Sequence, residues 1–175
     1  LLLNGAAHDA TDDAGRDALL LAAEDGSLAS VDALLEAGAD PNRRAAGGET
    51  CLGRAVIGAH AGVAERLLVA GADVDAPAGN GQTPLIIAVR TGNARTVDVL
   101  LEAGADVNAR ERGTGNTALM YAANSGFADL VEALLARGAD VDARASDGWT
   151  AIQAAEMVGE TAIVDRLRAA AARGG

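Results

Sequence analysis

Apolar positions along this chain follow two alternating patterns, both with helical spacing. In one, leucine or isoleucine is followed three residues later by alanine: Leu19 and Ala22, Leu52 and Ala55, Leu85 and Ala88, Leu119 and Ala122, Ile152 and Ala155. In the other, Val31, Ala64, Val97, Val131 and Val164 are followed three residues later by Leu34, Leu67, Leu100, Leu134 and Leu167. Residues three apart share one face of a helix, so each pattern predicts a short helix with one buried stripe. The alanine lets a neighbouring helix approach where a bulky side chain would hold it off.

Polar residues and glycines punctuate the stripes. Asp17, Thr50, Thr83, Thr117 and Thr150 stand ahead of the first helix of each pair. Each has a side-chain oxygen able to accept from a free amide of the first helical turn. Pro84 follows Thr83 at the first helical position, where its missing N–H is no loss. Gly26, Gly92, Gly126 and Gly159 end the first helix, and the Gly-Ala-Asp glycines Gly38, Gly71, Gly104 and Gly138 end the second. Gly15, Gly48, Gly81, Gly115 and Gly148, just before the caps, suit a tight turn with positive φ. Counting a worn copy at Gly5, the Gly-Ala glycines are spaced by 33, 33, 33 and 34 residues. A period of this length implies stacked supersecondary units, each covering an apolar stripe that its neighbour cannot bury alone.

With its T-P-L, A, G and G-A-D-V-N positions, "GNGQTPLIIAVRTGNARTVDVLLEAGADVNA" (79–109) resembles the ankyrin repeat, and the resemblance covers nearly the whole chain. It implies an all-α, ankyrin-repeat solenoid of stacked helix–turn–helix units with projecting β-turn fingers. Residues 1–10 then read as the tail of a preceding, truncated repeat, and 11–175 as one ankyrin-repeat domain. Its repeats fall at about 11–43, 44–76, 77–109, 110–143 and 144–175, the last carrying a C-terminal cap helix over roughly 161–173. Leu1–Leu3 align with the tail of an outer helix whose inner partner is missing, so the rest of at least one more repeat is expected upstream.

Departures from the family pattern set further expectations. The family's His after T-P-L is replaced by Leu20, Gly53, Ile86, Met120 and Gln153. The second repeat departs most: Gly53 lies inside a helix, Ala59 replaces the helix-ending glycine, and Gly62 opens the outer helix. Each mid-helix glycine costs about 0.5–1 kcal/mol relative to alanine, so residues 50–65 are expected to be the least stable part of the stack. Arg54 stands in a column with Leu21, Ile87, Tyr121 and Ala154 and is expected to snorkel to solvent. "RERGTGN" (110–116) holds one extra finger residue, and Arg168 replaces a leucine, a polar change suited to the end of a stack.

Composition narrows the function classes. Of 175 residues 50% are apolar but only 2% aromatic, so the core is built from Ala, Leu and Val. The formal net charge of −11 argues against nucleic acid, suits a basic protein partner, and also keeps a protein soluble. A single cysteine, Cys51, rules out an intrachain disulfide and points to a reducing, cytoplasmic setting. No apolar run approaches the roughly 20 residues of a membrane span, so no membrane association is expected. All 14 basic residues are arginine, which, with heavy Ala, Gly and Asp usage, suggests a GC-rich bacterial genome.

Catalytic and metal chemistry is not expected. "GTGNTA" (113–118) satisfies a dinucleotide glycine pattern, but a finger rather than a strand precedes it and the repeat explains both glycines. His8 and His60 lie in different repeats without a neighbour at metal-ligand spacing and read as surface residues. Cys51 has no nearby histidine base and reads as an inert thiol. Asp9, Asp12, Asp13 and Asp17 lack the closing Glu of a calcium loop and read as a solvated finger plus a cap. No nucleophile–base–orienter set appears, so no enzyme, cofactor or metal is expected.

The resemblance implies a protein partner lying across the concave face of finger tips and inner helices. Carried over by alignment, that face holds Asp13, Arg16, Glu24 and Asp25, then Glu49 and Ile57, then Asn80, Gln82, Arg90 and Thr91. It continues with Arg112, Asn116, Asn124 and Ser125, and ends with Ser146, Asp147, Trp149 and Met157. These columns vary between copies, as a binding surface on a fixed frame would, and as drift at exposed positions would too. Trp149, with Arg90 and Arg112, is the expected hot spot; the alternative is that Trp149 folds over the adjacent finger and shields the last repeats. Tyr121 and Phe127 read as packing residues. The expected function is a monomeric, non-catalytic protein–protein interaction module. The alternatives are a bacterial immunity or inhibitor protein that blocks a basic toxin or enzyme, and a structural spacer.

Overall fold

The computed structural model describes residues 10–174, and among these it contains ten α-helices and no β-strand. Five short inner helices, α1 (Ala18–Glu24), α3 (Cys51–Ile57), α5 (Pro84–Arg90), α7 (Ala118–Asn124) and α9 (Ala151–Val158), alternate with five outer ones. The outer helices are α2 (Leu28–Glu36), α4 (Ala61–Val69), α6 (Ala94–Glu102), α8 (Ala128–Ala136) and α10 (Thr161–Gly174). Every inner helix packs on its own outer partner and on the next inner helix, and outer helices pack on one another in the same order. This is the all-α repeat solenoid that the spacing predicts. The fingers before the inner helices are turns, with isolated antiparallel bridges Thr11–Asp17 and Arg44–Thr50 at the bases of the first two.

Local chemistry fixes each helix start. Side-chain oxygens of Asp17, Thr50, Thr83, Thr117 and Thr150 accept from the N–H groups of Leu20, Gly53, Ile86, Met120 and Gln153. Gln153 reciprocates toward Thr150, completing a capping box. The predicted stripes form one continuous core: Leu19, Leu52, Leu85 and Leu119 are buried, as are Val31, Ala64, Val97, Val131 and the leucines at 67, 100, 134 and 167. Each fully buried leucine contributes about 1.5–3 kcal/mol of transfer free energy.

Asn42 and Asn108 clamp adjacent units on the opposite side. Asn42 Nδ2 donates to the Gly71 carbonyl at 2.8 Å while its Oδ1 accepts from the Asp73 N–H at 2.8 Å. Asn108 repeats this with Gly138 and Asp140. The Asn at the end of G-A-D-V-N is therefore a two-way hydrogen-bonding spacer.

Several expectations change. Arg54 does not snorkel free: it is half-buried and reaches Glu24 at 3.6 Å and Glu49 at 2.5 Å. The apolar column around it is interrupted by carboxylates of its own and the preceding unit, and these hold it down. His60 is not a loose surface residue. Its ring lodges against Gly26 and Gly58, where any Cβ would meet it, and Nε2 lies 3.1 Å from the Glu24 carbonyl. Ala59 takes the helix-ending role with a left-handed φ of 59°, the sole non-glycine positive φ among the described residues. Cys51 is buried, and burial, followed by the nearby Asp17 carboxylate, pushes its thiol up to about 12. The segment 1–9, with His8 and Asp9 and most of the expected tail of a preceding repeat, lies outside the described residues.

Candidate partner-binding face

Three columns line the side formed by fingers and inner helices. One precedes the cap (Arg16, Glu49, Gln82, Asn116, Trp149) and another follows it by four residues (Leu21, Arg54, Ile87, Tyr121, Ala154). The third follows it by seven (Glu24, Ile57, Arg90, Asn124, Met157). Between consecutive inner helices run four seams, and the chain fills them unequally.

Charge closes the first seam, between α1 and α3. Arg16 pairs with Asp12 at 2.8 Å and lies 3.7 Å from Glu24, which also faces Arg54. Hydrogen bonds from the backbone N–H and side chain of Arg16 hold the Asp12 carboxyl below its usual range.

Glu111 closes the third seam, between α5 and α7. It occupies a finger position that is alanine in three other copies (Ala45, Ala78 and Ala145), and it is 9% exposed. Its carboxylate accepts from Gln82 Nε2 at 2.6 Å, Thr114 Oγ1 at 2.5 Å and Tyr121 Oη at 2.5 Å. Burial alone would raise its pKa, yet these three donors and the Arg90 charge hold it below the ordinary glutamate value. Arg90 Nη1 donates to Gln82 Oε1 at 2.8 Å, and its guanidinium stands 5.5 Å from the centre of the Tyr121 ring. The extra residue in this finger makes the arrangement possible: Gly113 turns with φ 96°, and the finger closes through Gly115 N–H to the Glu111 carbonyl.

The other two seams stay open. The second, between α3 and α5, is a cleft of about 240 Å³ lined by Glu49, Gly53, Arg54, Ile57, Gly79 and Asn80 among others. Gly53 brings no side chain to it where other copies carry Leu20, Ile86 and Met120, and Gly79 lets its finger lie directly on the Gly47 carbonyl. The fourth, between α7 and α9, is a cleft of about 230 Å³ lined by Asn116, Met120, Tyr121, Asn124, Asp147, Trp149, Thr150, Ala154 and Met157. Trp149 and Met157 are 41% and 63% exposed.

The predicted residues are thereby sorted. Asn116, Asn124, Asp147, Trp149 and Met157 come together at the fourth seam, and Glu49, Ile57 and Asn80 at the second. Arg16 and Glu24 are engaged in the first seam. Gln82 is 4% exposed and its amide donates to Glu111, so it braces the two fingers from below the surface. Of the expected trio, Trp149 lines the fourth seam, while Arg90 and Arg112 lie at the third. Arg90 is turned to Gln82 and Tyr121, and Arg112 packs on Gly81 between the fingers of the same third seam, its backbone N–H donating to that carbonyl at 3.2 Å. Asp13, Asp25, Thr91, Ser125 and Ser146 are exposed at the margins, Thr91 Oγ1 donating to the Ala88 carbonyl and Ser146 Oγ to that of Gly113. Phe127 packs on Gly92, whereas Tyr121 both packs and lines the open cleft. Glu111, Met120 and Ala154 were missed. A carboxylate where three copies carry alanine was the available signal for Glu111.

A family model described as Ankyrin repeats (3 copies) matches residues 1–78, 21–111, 52–145 and 110–173. No curated protein matches the chain. Among the described residues no helix is long and apolar enough to cross a membrane.

Proposed function

The chain belongs to the ankyrin repeat family, whose repeats are generally protein–protein interaction modules, and from that premise we propose that it binds a partner protein, without catalysis, across its finger and inner-helix face. The observation carrying this is the pair of open seams. Ion pairs and hydrogen bonds between the chain's own side chains bridge the first and third seams, while large apolar groups at the second and fourth are left uncovered: Ile57 at 51%, Trp149 at 41% and Met157 at 63% exposure. Single exposed apolar residues are ordinary, but an aromatic and a thioether sharing one cleft match the anchors that dominate interface energetics.

Photo-crosslinking in source cells tests this, with the reactive residue placed at 157 or, as a control, at Val69, the 78% exposed apolar residue of the outer helix α4. Adducts from position 157 that vanish with Trp149→Ala support the reading. Adducts formed only from position 69 overturn it.

A further inference from the structure

The four seams differ in the charge they leave unpaired. In the first and third the chain supplies its own cations, Arg16, Arg54 and Arg90, beside its carboxylates. The fourth reverses this. The rings of Tyr121 and Trp149 and the thioethers of Met120 and Met157 line it beside Asp147, and no basic side chain does. Asp147 Oδ1 accepts from the backbone N–H of Trp149 at 3.1 Å, which ties the carboxylate to the finger turn that carries the indole. Asp147 enters no ion pair among the described residues. Three arginines on flanking elements already have partners of their own. Arg144 donates to the Gly148 carbonyl at 3.2 Å, Arg168 pairs with Glu156 at 2.6 Å, and Arg90 covers Tyr121 from the α5 side.

We propose that the cleft between α7 and α9 receives one arginine side chain of the partner protein. This rests on the inner face being the partner-binding face. A guanidinium is planar and weakly hydrated, so it stacks on an indole while its N–H groups reach a carboxylate at the rim. Its methylene stem lies along Met157. The cleft's volume of about 230 Å³ falls below the roughly 300–1,000 Å³ of sites that enclose a whole small molecule, and suits a single side chain. A purely apolar side chain would desolvate Asp147 without pairing it, and an acidic one would meet like charge. The net charge of −11 favours association with a basic partner.

Trp149 is the single tryptophan, so its fluorescence reports on this cleft alone. The intact chain is titrated with the capped peptide Gly-Leu-Arg-Leu-Gly and with versions carrying citrulline or norleucine in place of arginine. The arginine peptide is expected to shift the emission with a dissociation constant of roughly millimolar size. Citrulline should weaken it about fivefold, the size of a partly exposed cation–π contact. Asp147→Asn should weaken it by a similar factor while the thermal melting curve stays in place. Absence of an emission change, equal affinity for the norleucine peptide, or indifference to Asp147→Asn each overturns the proposal. A partner crosslinked at position 157 through a segment without arginine also overturns it, yet leaves the partner-binding face standing.

Discussion

Glu111, at the base of the fourth finger, accepts a 2.6 Å hydrogen bond from Gln82, at the base of the third, across a sequence separation of 29 residues. Thr114 and Tyr121 donate to the same carboxylate, so three donors depend on one acceptor. Glu111→Ala would orphan a buried amide and two hydroxyls, each loss costing about 1–3 kcal/mol before relaxation and water entry. A drop of about 3 kcal/mol in urea-unfolding stability is expected. Because the folded-state pKa lies below the ordinary 4.5, the stabilisation is present above that pH and fades as acid protonates the folded form. Wild type should therefore lose stability more steeply than Glu111→Gln as pH falls below 4.5, the ordinary value.

Ala59 holds a left-handed φ of 59° where the four other copies use glycine. That conformation costs an L-residue about 1–2 kcal/mol, while glycine adds about 0.4–1 kcal/mol of unfolded-state entropy. Ala59→Gly should therefore stabilise by roughly 0.5–1 kcal/mol, the difference of those two terms. Hydrogen exchange should show slower opening of residues 50–65, with little change over α7 to α10.

Asp75 stands where Asn42 and Asn108 clamp neighbouring units. It accepts the Asp106 N–H at 3.0 Å but, ionised, has no donor for the Gly104 carbonyl. Desolvation, then repulsion from Asp106 and Asp73, raises its pKa against the lowering effect of that one backbone hydrogen bond. Ionised Asp75 is thus unfavourable in the fold, and the penalty is relieved as pH falls through its raised pKa. Asp75→Asn should stabilise at neutral pH by about 1 kcal/mol, the worth of one added hydrogen bond. Comparative urea melts should show this advantage shrinking as pH approaches the ordinary aspartate value of 3.8.

The Cys51 thiol, buried in the core and pushed up to about 12, should be silent toward disulfide reagents in the native state. At pH 8 its reaction rate should follow the unfolded fraction across a urea series. Rapid labelling without denaturant would contradict the burial described.

Much of the fold was legible because its determinants are local and repeat. A cap and its acceptor amide lie three residues apart, a buried stripe spans two turns, and a helix-ending glycine acts on its own backbone. All fall within one repeat, so alignment of the copies gave helices, turns, core and stacking order. The inner-face columns were legible by the same arithmetic, which placed Trp149, Met157 and Asp147 on one side of the chain.

Tertiary structure alone decided which of those residues are free. Long side chains such as Arg54, Gln82 and Arg90 choose among acceptors on their own and adjacent units, and the choice depends on reach, burial and the competing donors. Spacing shows that Gln82 and Glu111 are neighbours in the stack, but not that the amide turns inward and leaves the binding face. Nor does it show that the seam beside Gly53 stays open while Glu111 fills the next. The period dictated the frame because every unit solves the same packing problem; the open and closed seams arose where units meet, from contacts that differ at each junction.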